Sequence, residues 1–255
     1  MTIEPSILYK DASLLAVHKP SGMLVHRGWG RDDEVLADWV RPHVDSDKVH
    51  TIHRLDRATS GVVLFAQHAE AARQLADLFA TRRIRKHYIA LVRGIAPQMG
   101  YLDHPVPREP KGKERVEAQS SLRRIATNRD TEPRECSLVE VVPHTGRVHQ
   151  IRRHLAHLNH PIFGDAHYGK GKLNRAFKEH YGLRGLALHA LALCFEHPET
   201  RLPLRIVAPM AADLEEGLVR MGFDPRVWRD LEEGADEGRG DPPSWLEEAQ
   251  KIVLT

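Results

Sequence analysis

Apolar and polar positions alternate along the chain in a pattern of short strands interrupted by a few amphipathic helices. Ile7 to Leu15 and Leu24 to His26 read as strands on either side of KPSGM, a Pro-Gly turn. Val49 to Leu55 and Gly61 to Gln67 are β-branched apolar runs bracketing a charged connection. The second of them, GVVLFAQ, has the unbroken hydrophobicity of a buried strand. Ala69 to Arg83 places Ala72, Leu75, Ala76 and Phe79 at i, i+3, i+4 and i+7, which makes one apolar helical stripe. KHYIALVR (86–93) returns to strand character. Residues 95–135 turn polar and proline-rich, with KGKER at 111–115, and read as a long irregular excursion with room for a strand or two.

Cys136 to Val142 is a further strand, ended by Pro143. A second helix is predicted to open at Thr145-Gly146 and to run through about Leu158, with Val148, Ile151, Leu155 and Leu158 on its apolar stripe. Asn159, His160 and Pro161 stop it. Gly185 to Phe195 and Pro203 to Ala208 are strands, and Ala211 to Met221 is a helix. There is no internal repeat. Many strands and few helices in mixed order indicate an α+β fold with a mixed, largely antiparallel sheet and flanking helices. The pattern divides into a body over residues 1–235 and an acidic tail over 236–255, whose Glu, Asp, Gly and Pro content predicts partial disorder.

Composition narrows the class. With 255 residues, 41% of them hydrophobic, the chain can bury a full core. No apolar run approaches membrane-spanning length, and the N-terminus lacks a basic start followed by an apolar core. Two cysteines, Cys136 and Cys194, make neither a disulfide framework nor a four-cysteine zinc site. A reduced, cytoplasmic, monomeric protein is the default expectation. The net charge of +2 hides an asymmetry: from Asp213 onward 12 acids face five Lys or Arg, whereas residues 1–212 hold 32 bases against 23 acids. A basic body with an acidic end suggests a polyanionic partner for the body.

The candidate chemistry centres on HRLDRATSG (53–61). Asp56 lies between Arg54 and Arg57 on a connection between two strand-like runs, where catalytic groups tend to be carried. A carboxylate among guanidinium groups stays charged and serves as nucleophile or base without a metal. The plain alternative is a solvated surface ion pair of little consequence. His149, His154, His157, His160 and His167 crowd one stretch, but there is no HExxH, and His154 and His157 have no acidic partner nearby; no metal is expected. Arg147, His149 and Gln150 fall in the first turn of the second helix, where free backbone N–H groups favour an RNA phosphate. Lys111, Lys113, Arg123 and Arg124 read as a solvated charged stretch that could also grip an RNA backbone.

HRLDRATSG, the Tyr88 strand, KPSGMLVH (19–26) and TGRVHQIRRHLAHLNHPIFGD (145–165) together resemble the RluA-type branch of the pseudouridine synthases, over roughly residues 7–208. The resemblance implies a synthase fold with a central active-site cleft, an isomerase activity on RNA, and no cofactor. It implies that Asp56 is the catalytic aspartate, that Tyr88 packs against the base and assists proton removal from C5, and that Arg152 pairs with the carboxylate. It further implies that Ile151 lines the base pocket and that Arg54 fills the gap left by the flipped uridine. Asp56 could attack the sugar, attack the base or remove a sugar proton; a route through a glycal-like sugar is preferred.

Ile7 reads as the start of the catalytic body, so an N-terminal S4-type module is not expected. The run from Thr145 to Phe177, the LNRAF extension within it, YGLRGLALHA (181–190) and HRGWGRDDE (26–34) are most similar to a branch that modifies tRNA on the T-stem side, at position 65 of the usual tRNA count. The alternatives are a synthase for large-subunit ribosomal RNA, a non-catalytic RNA-binding module of the same shape, and a metal-dependent hydrolase suggested only by the histidines.

Overall fold

The first apolar run folds back on itself. In the computed structural model, which describes residues 4–27, 34–45, 48–109, 112–234 and 243–249, Ser6–Lys10 (β1) and Leu14–Lys19 (β2) form an antiparallel hairpin, and the single strand expected over Ile7 to Leu15 is absent. Asp11 makes the difference. Its Oδ1 accepts from the backbone N–H of Ser13 at 2.8 Å and of Leu14 at 2.7 Å, so a side chain supplies the turn's acceptors. Leu24 to His26 is not a strand either: Leu24 makes one isolated bridge with Val35, just before Leu36–Val40 (α1). Within Val49 to Leu55 only His50–Thr51 (β3) pairs. Beyond it, His53 Nε2 accepts the Leu64 N–H at 2.9 Å, taking a ladder position with a side chain.

Ser60–Ala66 (β4) is buried throughout, as its composition predicts, and Ala69–Ala80 (α2) and Arg85–Arg93 (β5) follow it. The polar excursion is more ordered than expected. It holds Met99–Asp103 (β6), Val106–Pro107 (β7), Arg115–Val116 (β8) and the ten-residue Gln119–Asn128 (β9), which runs beside Cys136–Pro143 (β10). A register shift between Leu138 and Val139 breaks the alternation along this pair, which hides β9 from a period-two reading.

The next helix, Gln150–His157 (α3), begins five residues later than expected. Gln150 is the reason: its Oε1 accepts from Thr145 Oγ1 at 2.7 Å and from the Arg147 N–H at 3.0 Å, folding residues 145–149 into a loop. Val148 is consequently 45% exposed and does not join the stripe of Ile151 and Leu155. Gly171–Tyr181 (α4) escaped the sequence reading because it buries Phe177 alone. The chain ends with Leu188–Glu196 (β11), Pro203–Val207 (β12), Ala212–Arg220 (α5), Arg226–Glu233 (α6) and Trp245–Glu248 (α7). Trp228, Leu231 and Trp245 are buried apolar anchors within this acid-rich end. Residues 236–242 and 250–255 of the tail, 28–33 of HRGWGRDDE and Lys111 lie outside the described residues.

Among the described residues ten strands form one sheet in the order β1-β2-β4-β11-β5-β10-β9-β6, with β3 beside β4 and β12 beside β11; β7 and β8 pair separately. All its pairings are antiparallel except β4 with β11, where Ser60 meets His189 and Gly61 meets Ala190. This mixed sheet with helices is the expected α+β class. The core divides along the parallel seam. One cluster, including Leu15, Val63 and Leu75, packs around β2, β4 and α2; the other, including Ile89, Val139 and Leu155, packs around β5, β10 and α3. Gly61 stands at the seam with φ +118°, and a Cβ there would lie 2.2 Å from the Ala190 carbonyl oxygen. No other residue lets the two halves approach so closely. The connection carrying Asp56 enters the sheet at this point.

Three histidines are held neutral by this packing. His53 is brought to about 3, by burial and then by Lys86; His154 and His189 are brought to about 4 by burial. The hydrogen bonds agree. His189 has the Ala208 carbonyl at Nε2 and the Ser60 hydroxyl at Nδ1, and His154 has the His104 carbonyl at Nε2 and the Ser120 hydroxyl at Nδ1. One nitrogen donates and the other accepts in each, which suits a neutral ring. An unfolded histidine takes its proton near 6.5, so between that pH and about 4 the unfolded chain holds more protons and stability falls as pH drops. Urea midpoints are expected to decline steadily from about pH 7 to about pH 4.5; a flat profile would rule out neutral buried rings.

Candidate active site

A cavity of about 620 Å³ opens where the Asp56 connection, the start of β5, the 143–149 loop and the start of α3 converge. Asp56, Tyr88, Ile151 and Arg152, contributed by separate segments, all line it, together with Arg54, Lys86, Arg147, His149 and Leu188. Asp56 Oδ2 accepts from Arg152 Nη1 at 2.9 Å. Arg152 is 96 residues away in sequence, so the decisive guanidinium is not one of the two that flank Asp56 in the chain. Those serve elsewhere: Arg57 Nε donates to the Gly22 carbonyl at 2.9 Å, and Arg54 is exposed at the cavity wall.

Arg152 is itself clamped from behind. Its Nε and Nη2 donate to the two oxygens of Asp165, at 2.7 and 2.9 Å, in a forked pair. Asp165, 1% exposed, also accepts the N–H groups of His167 at 2.9 Å and Tyr168 at 3.0 Å on Oδ1. Burial opposes charge on both partners. For Arg152 the hydrogen bonds and charges of Asp165 and Asp56 outweigh burial and lift it above the usual arginine range. For Asp165 burial is likewise outweighed, by Arg152 and the two backbone donors, and its carboxyl is lowered. The fork leaves Nη1 as the arm that reaches Asp56. Tyr168 closes the assembly, its ring 5.3 Å from the Arg152 guanidinium carbon and its hydroxyl accepting from Arg153 Nε at 2.9 Å.

Tyr88 is pushed above the ordinary tyrosine range by burial first and by the charge of Asp56 second, so its phenol stays protonated at neutral pH. Lys86, one alternation along the same strand face, donates from Nζ to the Thr145 carbonyl at 3.1 Å. Burial, then Arg82, lowers it to about 8. His149 Nε2 lies 3.7 Å from Asp56 Oδ2; burial depresses its pKa more than Asp56 raises it.

The KPSGM turn braces the Asp56 connection from below. Lys19, fully buried, donates from Nζ to the carbonyls of Pro20 and Met23 at 2.8 Å and of Arg57 at 3.2 Å. Ser21 Oγ donates to the Ala58 carbonyl at 2.8 Å, and the Gly22 N–H to the Arg57 carbonyl at 2.8 Å. Burial lowers Lys19 to about 7, against the opposing charge of Asp56.

A family model described as RNA pseudouridylate synthase matches residues 13–157, the segment that carries Asp56, Tyr88 and Arg152. The chain belongs to the RNA pseudouridylate synthase family. Among curated relatives, tRNA pseudouridine synthase C of Vibrio cholerae is 39% identical over 243 residues, covering 88% of this chain and 93% of that protein. The protein of the same name from Salmonella typhimurium is 41% identical over 242 residues, covering 88% and 91%. Among solved structures, human RNA pseudouridylate synthase domain containing 4 superposes with a TM-score of 0.71 at 26% identity, covering 86% of this chain and 93% of that one.

Within this synthase the remaining sequence candidates divide by burial. Ile151 is 6% exposed, belongs to the hydrophobic core and also lines the cavity. Arg147 is exposed, its Nε donating to the Glu117 carbonyl at 3.0 Å. His149, at φ +55°, precedes α3, so neither it nor Arg147 occupies a helical first turn as expected. Gln150 does begin the helix, but its Nε2 donates to the Gln119 carbonyl at 2.8 Å and to Ser120 Oγ at 2.9 Å, while its Oε1 serves the loop. Its amide orders the protein from inside. Asp165, Lys19 and Lys86 were missed as functional residues. KPSGM and GD read as parts of motifs in the sequence, and only burial reveals that they hold charges in place.

Asp165→Asn keeps the side chain's size and removes the counter-charge. It is expected to cost about 3 kcal/mol of stability in urea unfolding, as breaking a buried ion pair does, and to lower kcat more than it raises KM for RNA. An unchanged stability and kcat would show that Arg152 needs no second carboxylate.

Proposed function

We propose that this synthase converts uridine to pseudouridine in tRNA, on the T-stem side, with Asp56 as the catalytic carboxylate. The observation that carries the reading is the Asp56–Arg152 contact at 2.9 Å in a cavity shared with Tyr88. The choice of tRNA rests on relatives 39% and 41% identical over most of the chain that are named tRNA pseudouridine synthase C. A tRNA substrate suits a basic body and a cytoplasmic place of work; no helix among the described residues is long and apolar enough to cross a membrane.

The geometry suggests the following course. The target uridine leaves its stack, at a cost of a few kcal/mol. Tyr88 offers a ring to the base, a contact worth about 1–3 kcal/mol, Ile151 packs against its other edge, and Arg54 fills the space it left. Asp56 Oδ2 is occupied by Arg152, so Oδ1 faces the ribose. It takes a proton from C2′ as the N1–C1′ bond breaks, giving a glycal-like sugar and a uracil anion. The base turns, C5 bonds to C1′, and the carboxylic acid returns its proton to C2′. The C5 proton then leaves, with Tyr88 positioned to assist, and N1 ends protonated. Nothing is oxidised or reduced overall, so the scheme draws on no cofactor.

Release of tritium from 5-tritiated uridine in tRNA measures the reaction directly. Wild-type protein is expected to release it from tRNA and not from ribosomal RNA, and Asp56→Asn to lose more than about 10³-fold in rate, the scale of a missing acid–base group. Full turnover by Asp56→Asn would overturn the assignment of roles, and preference for ribosomal RNA would overturn the substrate.

A further inference from the structure

Helix α4 carries a run of exposed cations without the carboxylate partners that several other surface arginines have. Several exposed arginines meet a carboxylate, among them Arg73 with Glu70 at 2.6 Å, Arg83 with Asp77 at 2.8 Å, and Arg201 with Glu196 at 2.9 Å. On α4, Lys172, Arg175 and Lys178 are all exposed, and none is joined to an acid among the described residues. Glu179 is the helix's one acid, and it makes no ion pair with Arg175 four positions earlier. Spaced at i, i+3 and i+6, the three cations share one face and form a row about 9 Å long. Like charges so placed repel and weaken the helix, a cost that an anionic occupant would remove.

The row is keyed to the active site. Asn174 Nδ2 donates to the Asp165 carbonyl at 3.0 Å, and its Oδ1 accepts from the Gly164 N–H at 3.1 Å and from Arg93 Nη2 at 3.1 Å. Asp165 is the residue that clamps Arg152. On the inner side Phe177 stacks on Phe163 with ring centroids 3.9 Å apart. The helix is thus fixed to the loop that positions the catalytic arginine while its outer face carries unneutralised positive charge.

We propose that the outer face of α4 is a second RNA-contact surface, in which Lys172, Arg175 and Lys178 hold backbone phosphates of the substrate's body away from the target uridine. The inference rests on the RNA-substrate reading above and adds where, beyond the cleft, the RNA is gripped. A row of unpaired cations complements successive phosphates, recognises no sequence, and sets the orientation in which the target uridine reaches Asp56.

The test compares wild type with K172Q/R175Q/K178Q on full-length tRNA and on a short hairpin holding only the target uridine and its flanking pairs. Because all three side chains are exposed and their mutual repulsion is removed, the Tm of the triple variant is expected to be no lower than that of wild type. For tRNA, Kd is expected to rise about 10-fold or more at moderate salt, and the slope of log K against log salt to shrink by about 2–3, near one for each lost contact. The value of kcat at saturating tRNA should hold, the hairpin should bind and turn over as before, and K172R/K178R should retain the wild-type slope. An unchanged Kd and slope would overturn the proposal. So would an equal loss on the hairpin, or intact tRNA binding with lost binding of polyglutamate, which would make the face a dock for acidic protein. Absence of turnover alongside an altered binding slope would refute the isomerase reading while supporting the phosphate surface.

Discussion

Arg152 carries two carboxylates at once, and the site is built around that shared guanidinium. Its Nε–Nη2 fork is taken by Asp165 and its Nη1 by Asp56. A buried arginine is expensive to desolvate unless its donors are met, and a carboxylate brought into a closed cavity needs a partner that stays charged. Asp165 meets the first requirement and Arg152 the second. Because Asp165 is held by the N–H groups of His167 and Tyr168, the orientation of the arginine is set by backbone instead of by a flexible chain.

The sheet delivers Asp56 to that arm. Its parallel pairing brings β4 beside β11 with Gly61 against Ala190, and the Asp56 connection ends there, between two separate apolar clusters. From below, Lys19 and Ser21 tie the connection to the KPSGM turn through the carbonyls of Arg57 and Ala58. From above, Gln150 folds the 145–149 loop so that α3 starts at the residue before Ile151 and Arg152. In both braces polar side chains, Lys19 and Ser21 below and Gln150 above, bond to main-chain groups of the neighbouring connection.

Much of the architecture was legible because it depends on local pattern. The buried run at β4, the stripe of α2, the strand ending at Pro143 and the α+β class follow from which side chains are apolar and at what period. The failures share a cause. Asp11, His53 and Gln150 each use a polar side chain to satisfy backbone or loop groups that a strand or helix would otherwise satisfy. Hydropathy cannot register such a substitution. α4 was missed for the opposite reason: it is held by one aromatic ring and an asparagine, so it has almost no stripe to read.

By itself the sequence determined the family, through four ordered motifs, and offered Asp56, Tyr88, Arg152 and Ile151 as candidates that the fold brings to one cavity. It also determined the charge asymmetry that points to a polyanion, since composition needs no coordinates. The resemblance implied the Asp56–Arg152 pair; only the tertiary structure decided how the surrounding charges are partnered. Asp56 is flanked by Arg54 and Arg57 in the chain yet meets Arg152, and Asp165 emerges as that arginine's second anchor. The physical reason is that electrostatic energy depends on separation and burial in space. Neighbours along a chain can point apart, and residues 96 positions distant can share one hydrogen bond.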